Sequence, residues 1–206
     1  MTLLQSLNKP NCSIAGISEM LRRRHRQTQM HCERVVVMAD YLAKACALAP
    51  DDHEILLYSA LLHDIGKIGI PDTILMFPGD LDEQQREVMR QHSTTGETIV
   101  RLMQLANGDE IADYVRHHHE HYDGRGYPDG LAGAAIPRLA RMLTILDCYD
   151  ALREPRVYRK ALKHNEAVEI MRSESGIKHD PELLERFLAI EELEAITNDY
   201  SMEMQI

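Results

Sequence analysis

The 206-residue chain contains no tryptophan and only two phenylalanines. Its apolar periodicity therefore rests on Leu, Met, Ala and Ile. Its four cysteines, Cys12, Cys32, Cys46 and Cys148, are scattered. None falls in a CxxC spacing, which argues against both a thiolate zinc site and a secreted disulfide scaffold. They read as reduced thiols, and a cytoplasmic protein is expected. No apolar run reaches the roughly 18 residues a transmembrane helix needs. The first residues, MTLLQSLNKPNC, lack the charged start and apolar core of a signal peptide. Positive charge is also scarce, with 23 Lys and Arg against 33 Asp and Glu and a net charge of -10. That balance argues against a nucleic-acid polymer or a membrane surface as partner. It leaves an anionic small molecule open, because bound cations can reverse the sign of a local field.

What is present is helical periodicity over almost the whole length, as in an all-α protein. The length suits one domain. A first helix is expected over residues 18–48, with His31, Val35, Met38 and Leu42 on its inner stripe. Pro50-Asp51-Asp52 marks a break, with Asp51 and Glu54 resembling a helix-start pair. The next helix carries Leu56, Ala60 and His63 on one face and ends in the Gly66–Pro71 segment. Asp82 is placed to cap a helix to about residue 105, with Val88, His92, Ile99 and Met103 inward. Further helices are expected over 109–118, 137–152, 163–173 and 181–189, with a Gly- and Pro-rich loop in HHHEHYDGRGYPDGL. Residues 1–17 read as an N-terminal extension, 18–189 as the working domain, and 190–206 as an acidic tail.

The most informative residues are His63 and Asp64 in LLHDIGKIGIP, side by side among leucines. A lone histidine on an apolar stripe is usually a hydrogen-bonded core residue. A buried carboxylate, however, costs several kcal/mol unless it is paired or binds a metal. His31, His92, His118, His119 and Asp147 also lie in apolar helical stretches. Together these five histidines and two aspartates supply nitrogen and oxygen ligands for two metal ions. Imidazole with carboxylate suits first-row transition metals. Two such ions roughly 3.5–4 Å apart suit hydrolysis of a phosphate ester.

HDIGKIGIPD, then HHEHYDGRGYP, then LARMLTILDCYDALREPRVYRKA resemble the HD-GYP family. This is a branch of the HD phosphohydrolases that hydrolyses bacterial cyclic dinucleotides, mainly cyclic di-GMP. HDxGK alone would be a moderate signal, whereas HHExxDGxGYP following it in order is specific. The resemblance covers about residues 25–188 and implies an HD-domain helical bundle with an ordered GYP loop. It implies one metal held by His31, His63, Asp64 and Asp147, and another by Asp64, His92, His118 and His119. Asp64 would bridge two divalent transition-metal ions, Fe or Mn. Asp64 and Lys67 would be catalytic. Lys67, Tyr127, Arg156 and Arg159 would contact substrate, while Glu120 and Asp123 would order the loop or orient ligands.

The implied activity is conversion of cyclic di-GMP to linear pGpG and, on a second cut, GMP. Alternatives are a preference for cyclic GMP-AMP and a non-catalytic adaptor that binds cyclic dinucleotides or diguanylate cyclases through the GYP loop. A homodimer is compatible with all three. The chain departs from the family pattern in places. Gln27 stands where some members carry a glutamate ligand for a third metal, so two ions are expected. Val157 replaces a proline of the R-P-Y-R segment, and Phe77 and Asp80 stand where lysines are frequent.

Overall fold

The computed structural model describes residues 12–155 and 161–195. Among the described residues the named α-helices are, in order, α1 (Cys12–Arg24), α2 (Arg26–Ala45), α3 (Pro50–Leu62), α4 (Asp72–Leu75), α5 (Glu83–Leu102), α6 (Gly108–His117), α7 (Arg138–Arg153), α8 (His164–Ser173) and α9 (Pro181–Leu188). Short 3-10 turns lie at Ile65–Gly69 and Gly133–Ala135. Two isolated β-bridges, Asp123 with Ala132 and Ser175 with His179, are the strand-like pairings among the described residues. The fold is all-α, as the periodicity implies.

The core is built on α2, α3 and α7. Val35, Val36, Met38, Ala39 and Leu42 of α2 are fully buried, with Leu56, Ala60 and Leu62 of α3 and Met142, Leu143, Ile145 and Leu146 of α7. Burial of each aliphatic side chain of this size contributes about 1.5–3 kcal/mol. Phe187 of α9 closes one end, edge-on to Tyr149 with ring centroids 5.3 Å apart. None of the helices is long and apolar enough to cross a membrane, among the described residues.

Three local expectations are corrected. The helix expected over 18–48 is two helices, broken at His25, whose backbone (φ -149°, ψ 87°) leaves the helical region. The imidazole then caps α2, with Nδ1 accepting from the Thr28 N–H at 3.3 Å. Arg24, the last residue of α1, donates to the Ile70 carbonyl at 2.6 Å and to Asp72 at 2.8 Å, so the break ties α1 to the segment after the HD pair. Second, the break expected at Pro50-Asp51-Asp52 is present, but Pro50 itself opens α3 and the Asp51–Glu54 pair does not cap it. The proline occupies the first turn with Asp51 and Asp52, and Ala49 provides no side-chain cap.

Third, the buried stripe of α5 is His92, Ser93, Gly96 and Val100, rotated from the expected one. Gly96 has no side chain, and Gly66 of the 65–69 turn lies directly against its backbone and that of His92. Ile14 of α1 and Leu193 are also buried in the core. Asp82 caps α5 as expected, in a reciprocal capping box with Gln85 (2.8 and 2.9 Å). Arg156, Val157 and Arg159 fall outside the described residues.

Candidate metal centre and substrate cleft

Five elements deliver the seven sequence-selected ligands to one place. His31 comes from the second turn of α2, and His63 and Asp64 from the end of α3. His92 lies mid-α5, His118 and His119 follow the end of α6, and Asp147 lies on α7. His63, Asp64, His92 and His118 are almost completely buried. The Nε2 atoms of His31 and His63 are 3.1 Å apart. His92 Nε2 is 3.3 Å from His118 Nε2 and 3.1 Å from His119 Nε2. Asp147 Oδ1 is 3.0 Å from His31 Nε2, and its Oδ2 faces His119 Nδ1 at 3.8 Å. Asp64 lies between the two groups. Its Oδ2 is 3.7 Å from His63 Nε2 and 3.9 Å from His31 Nε2, while Oδ1 is 3.4 Å from His92 Nε2.

The local helix geometry fixes which imidazole nitrogen is available. His63, His92 and His118 each donate Nδ1–H to the carbonyl three residues back, Ala60 at 2.8 Å, Met89 at 2.7 Å and Val115 at 2.6 Å. A carbonyl can only accept, so each Nδ1 holds the proton and each Nε2 presents a lone pair. Lone pairs facing one another at 3.1–3.3 Å repel unless a cation or proton lies between them. The donor set and its orientation thus fit first-row divalent metals, in two groups, His31-His63-Asp64 and His92-His118-His119.

The electrostatics agree. Burial, reinforced by neighbouring imidazoles, pushes His118 down to about 3 and depresses His119. Burial likewise depresses His63 and His92, so these rings are neutral and ready to coordinate. Burial also opposes charge on Asp64, but Lys67 and the surrounding histidines outweigh it and hold the carboxyl well below its usual range. Burial opposes charge on His31 as well, yet its bonds to Asp147 and Asp150 raise it to about 10 in the metal-free protein.

Two functional neighbours were not singled out from sequence. Asp150, one helical turn beyond Asp147 and buried, accepts from His31 Nδ1 at 2.7 Å. Arg34 grips Asp150 through Nε (2.8 Å) and Nη2 (2.7 Å) and reaches Glu154 at 2.9 Å. This chain fixes the orientation of the His31 ring, as partners behind metal-binding histidines do. The detectable signal was a second aspartate in the apolar helix LDCYDAL.

The GYP loop is ordered by buried Glu120, whose carboxylate accepts from the backbone N–H groups of Asp129 (2.7 Å), Gly130 (3.1 Å) and Leu131 (3.0 Å). Arg116 holds Asp129 through two 2.7 Å bonds, and His117 adds a third contact at 2.8 Å. His117, Glu120 and Asp129 also lie within ligand distance of one another, but their atoms are already engaged in this clamp. Asp123 accepts from the Arg125 N–H at 3.0 Å, as a turn-forming aspartate does. Tyr127 lies against His119, ring centroids 4.8 Å apart, with the Arg90 guanidinium 5.8 Å from its ring centre.

The cluster forms the base of a cleft of about 670 Å³, within the range of small-molecule sites. Its lining includes His25, Gln27, Lys67, Phe77, Tyr127 and Glu154. Lys67 Nζ bonds Asp64 Oδ2 at 2.5 Å, and 23% of its side chain is exposed. A separate hollow of about 550 Å³ between α5 and α6, lined by Arg101 to Glu110, carries no histidine.

A buried, two-lobed His/Asp centre in a helical bundle is a donor set that could hold two metal ions. The chain belongs to the HD domain family, which matches residues 15–183, and within it to the HD-GYP branch. It is 38% identical over 196 residues to a cyclic di-GMP phosphodiesterase of Vibrio cholerae, covering 87% of this chain and 39% of that protein. It is 33% identical over 204 residues to the cyclic di-GMP phosphodiesterase response regulator RpfG of Xanthomonas campestris, covering 97% of this chain and 54% of that protein. A 3'3'-cGAMP-specific phosphodiesterase of Vibrio cholerae is 36% identical over 171 residues, covering 83% of this chain and 37% of that protein. The chain therefore spans about half or less of the length of these relatives. The crystal structure of the cyclic GMP-AMP-specific V-cGAP3 from Vibrio cholerae shares the fold, with a TM-score of 0.61 at 17% identity over 82% of this chain and 45% of that one.

Proposed function

We propose that this chain is a metal-dependent phosphodiesterase that opens cyclic di-GMP to linear pGpG and, on a second cut, GMP. The observation that carries the proposal is Asp64, whose two oxygens face two separate histidine groups at the base of an open cleft. His31, His63, Asp64 and Asp147 would hold one divalent ion, Fe or Mn, and Asp64, His92, His118 and His119 the other. Such a pair, when bound, supplies an acidified water and positive charge against the phosphoryl oxygens. Lys67 adds a further positive charge beside Asp64, positioned to meet a phosphoryl oxygen of the bound diester. Tyr127 meets the substrate from the loop side, and Arg156 and Arg159 bind its phosphates or guanine edges. Asp150 and Arg34 keep the His31 ring in register throughout.

A cytoplasmic location fits the free, buried thiols of Cys32, Cys46 and Cys148. Relatives named for cyclic di-GMP and for cyclic GMP-AMP match at similar identity, so identity does not choose between the two substrates. The test is anaerobic loading with Fe or Mn, metal analysis, and separation of the products from each dinucleotide. Two ions per chain with conversion of cyclic di-GMP to pGpG is the expected result. Fully metallated protein that binds both dinucleotides and cleaves neither would overturn it in favour of an adaptor.

A further inference from the structure

We infer that Phe77 forms a stacking shelf for a purine base of the dinucleotide, which rests on the phosphodiesterase reading above. Among the described residues, two benzenoid side chains line the cleft, Phe77 and Tyr127. Tyr127 is already engaged by His119 and by the Arg90 guanidinium. Phe77 is different. It lies in the segment after α4, is 41% exposed, and has an equally unusual neighbour in Met76, 52% exposed. Singly exposed apolar side chains are ordinary, but Phe77 and Met76 line the cleft together with Ile74, Leu75 and Leu81, and a contiguous apolar patch of that kind marks a ligand surface. The position of Phe77 is also defined. A Cβ on Gly79 would lie 3.2 Å from Phe77 Cε1, so the glycine backbone abuts the ring and limits its swing. Pro78 between them fixes the turn further.

The rest of that wall is apolar, with Ile74, Leu75 and Leu81 beside it. His31, Asp64, His92, His119 and Asp147 of the cluster line the same cleft, with Lys67. A nucleotide has the matching polarity, with its phosphate at the charged side and the flat face of its base on the apolar one. Stacking on an aromatic face is tolerant of which base is present, so this shelf supplies affinity without separating guanine from adenine. Among the described lining residues Lys67 is the one lysine or arginine, so an apolar shelf would add affinity that charge on these residues does not supply.

The chain has no tryptophan, so Phe77→Trp places a single fluorophore on the shelf. In the metal-loaded variant, GMP and cyclic di-GMP should change its emission saturably, and ribose 5-phosphate should not. Phe77→Ala should raise KM for cyclic di-GMP roughly tenfold with kcat held within about twofold. Phe77→Tyr should restore KM. Active wild-type enzyme with an unchanged KM in Phe77→Ala and silent tryptophan emission overturns the shelf and leaves the phosphodiesterase reading intact. Loss of turnover in metal-loaded wild type, with emission still responding to GMP but not to ribose 5-phosphate, supports the shelf and removes that reading. A response to ribose 5-phosphate equal to that of GMP overturns the shelf by showing that the phosphate alone is sensed.

Discussion

Lys67 and Asp150 play opposite parts beside the same cluster. Lys67 is partly exposed at the cleft and touches Asp64 directly. Removing one preorganised charge of this kind typically costs on the order of 10²-fold in rate. Lys67→Ala should therefore lower kcat by about that factor with metal content retained, checked by metal analysis on the same preparation. Asp150 is buried and reaches the centre only through His31 Nδ1. Asp150→Asn keeps the shape and removes the charge that makes the His31 ring a strong donor. It should weaken binding of the ion at the His31 group about 10–100-fold, measured by competition with a chelating dye. Affinity equal to wild type would show that Asp150 serves only the Arg34 pair. The seven converging residues were legible because histidines and aspartates are conspicuous in apolar stretches. Asp150 was not, because an aspartate one turn after a proposed ligand looks the same whether it coordinates, orients or merely pairs.

At the scale of elements, the helices were legible to within a few residues wherever apolar spacing and a cap coincided, as at Asp82 and α5. The break at His25 was not, because no glycine or proline marks it and the apolar spacing runs on through it. The rotation of α5 was hidden for another reason. Its buried face is set by the approach of the 65–69 turn, a tertiary contact that small residues permit but do not announce. Gly66 shows how close that approach is. A Cβ there would lie 1.9 Å from the His92 carbonyl oxygen and 2.6 Å from the Gly96 nitrogen. Both atoms are backbone, so neither can swing aside. Gly66→Ala should cost about 1–3 kcal/mol or more by overpacking. It should also displace Asp64 and Lys67 relative to His92. Thermal denaturation and metal analysis should therefore fall together, and a stable variant with full metal content would refute the argument.

For the whole molecule, pH is the simplest probe. His179 is buried, and burial together with Lys178 and His121 pushes it down to about 3, although Glu174 lies 3.3 Å away. Its pKa in the unfolded chain is about 6.5. Above that value the group is neutral in both states and costs nothing. As pH falls through about 6.5, the unfolded chain takes up a proton that the folded one does not, and stability is lost progressively toward the folded value of about 3. His118 follows the same course in metal-free protein, being also held at about 3. Metal-free wild type should therefore lose stability between pH 6.5 and 4 with a slope of about 1.4 kcal/mol per pH unit for each such histidine. His179→Gln should reduce that slope by about one proton in urea titrations, and an unchanged slope would count against its neutral burial.

The ligand cluster draws on residues from His31 to Asp147, with Asp150 behind it. During synthesis these groups leave the ribosome in sequence. The His31, His63 and Asp64 side chains emerge early, then the trio of His92, His118 and His119, and the α7 aspartates last. A nascent chain that has not yet reached Asp147 holds an incomplete set of these donors, although Asp64 is already made. A complete donor set therefore requires the docking of α7, so the proposed two-ion centre would be selected by the folded helices rather than by an unfolded peptide.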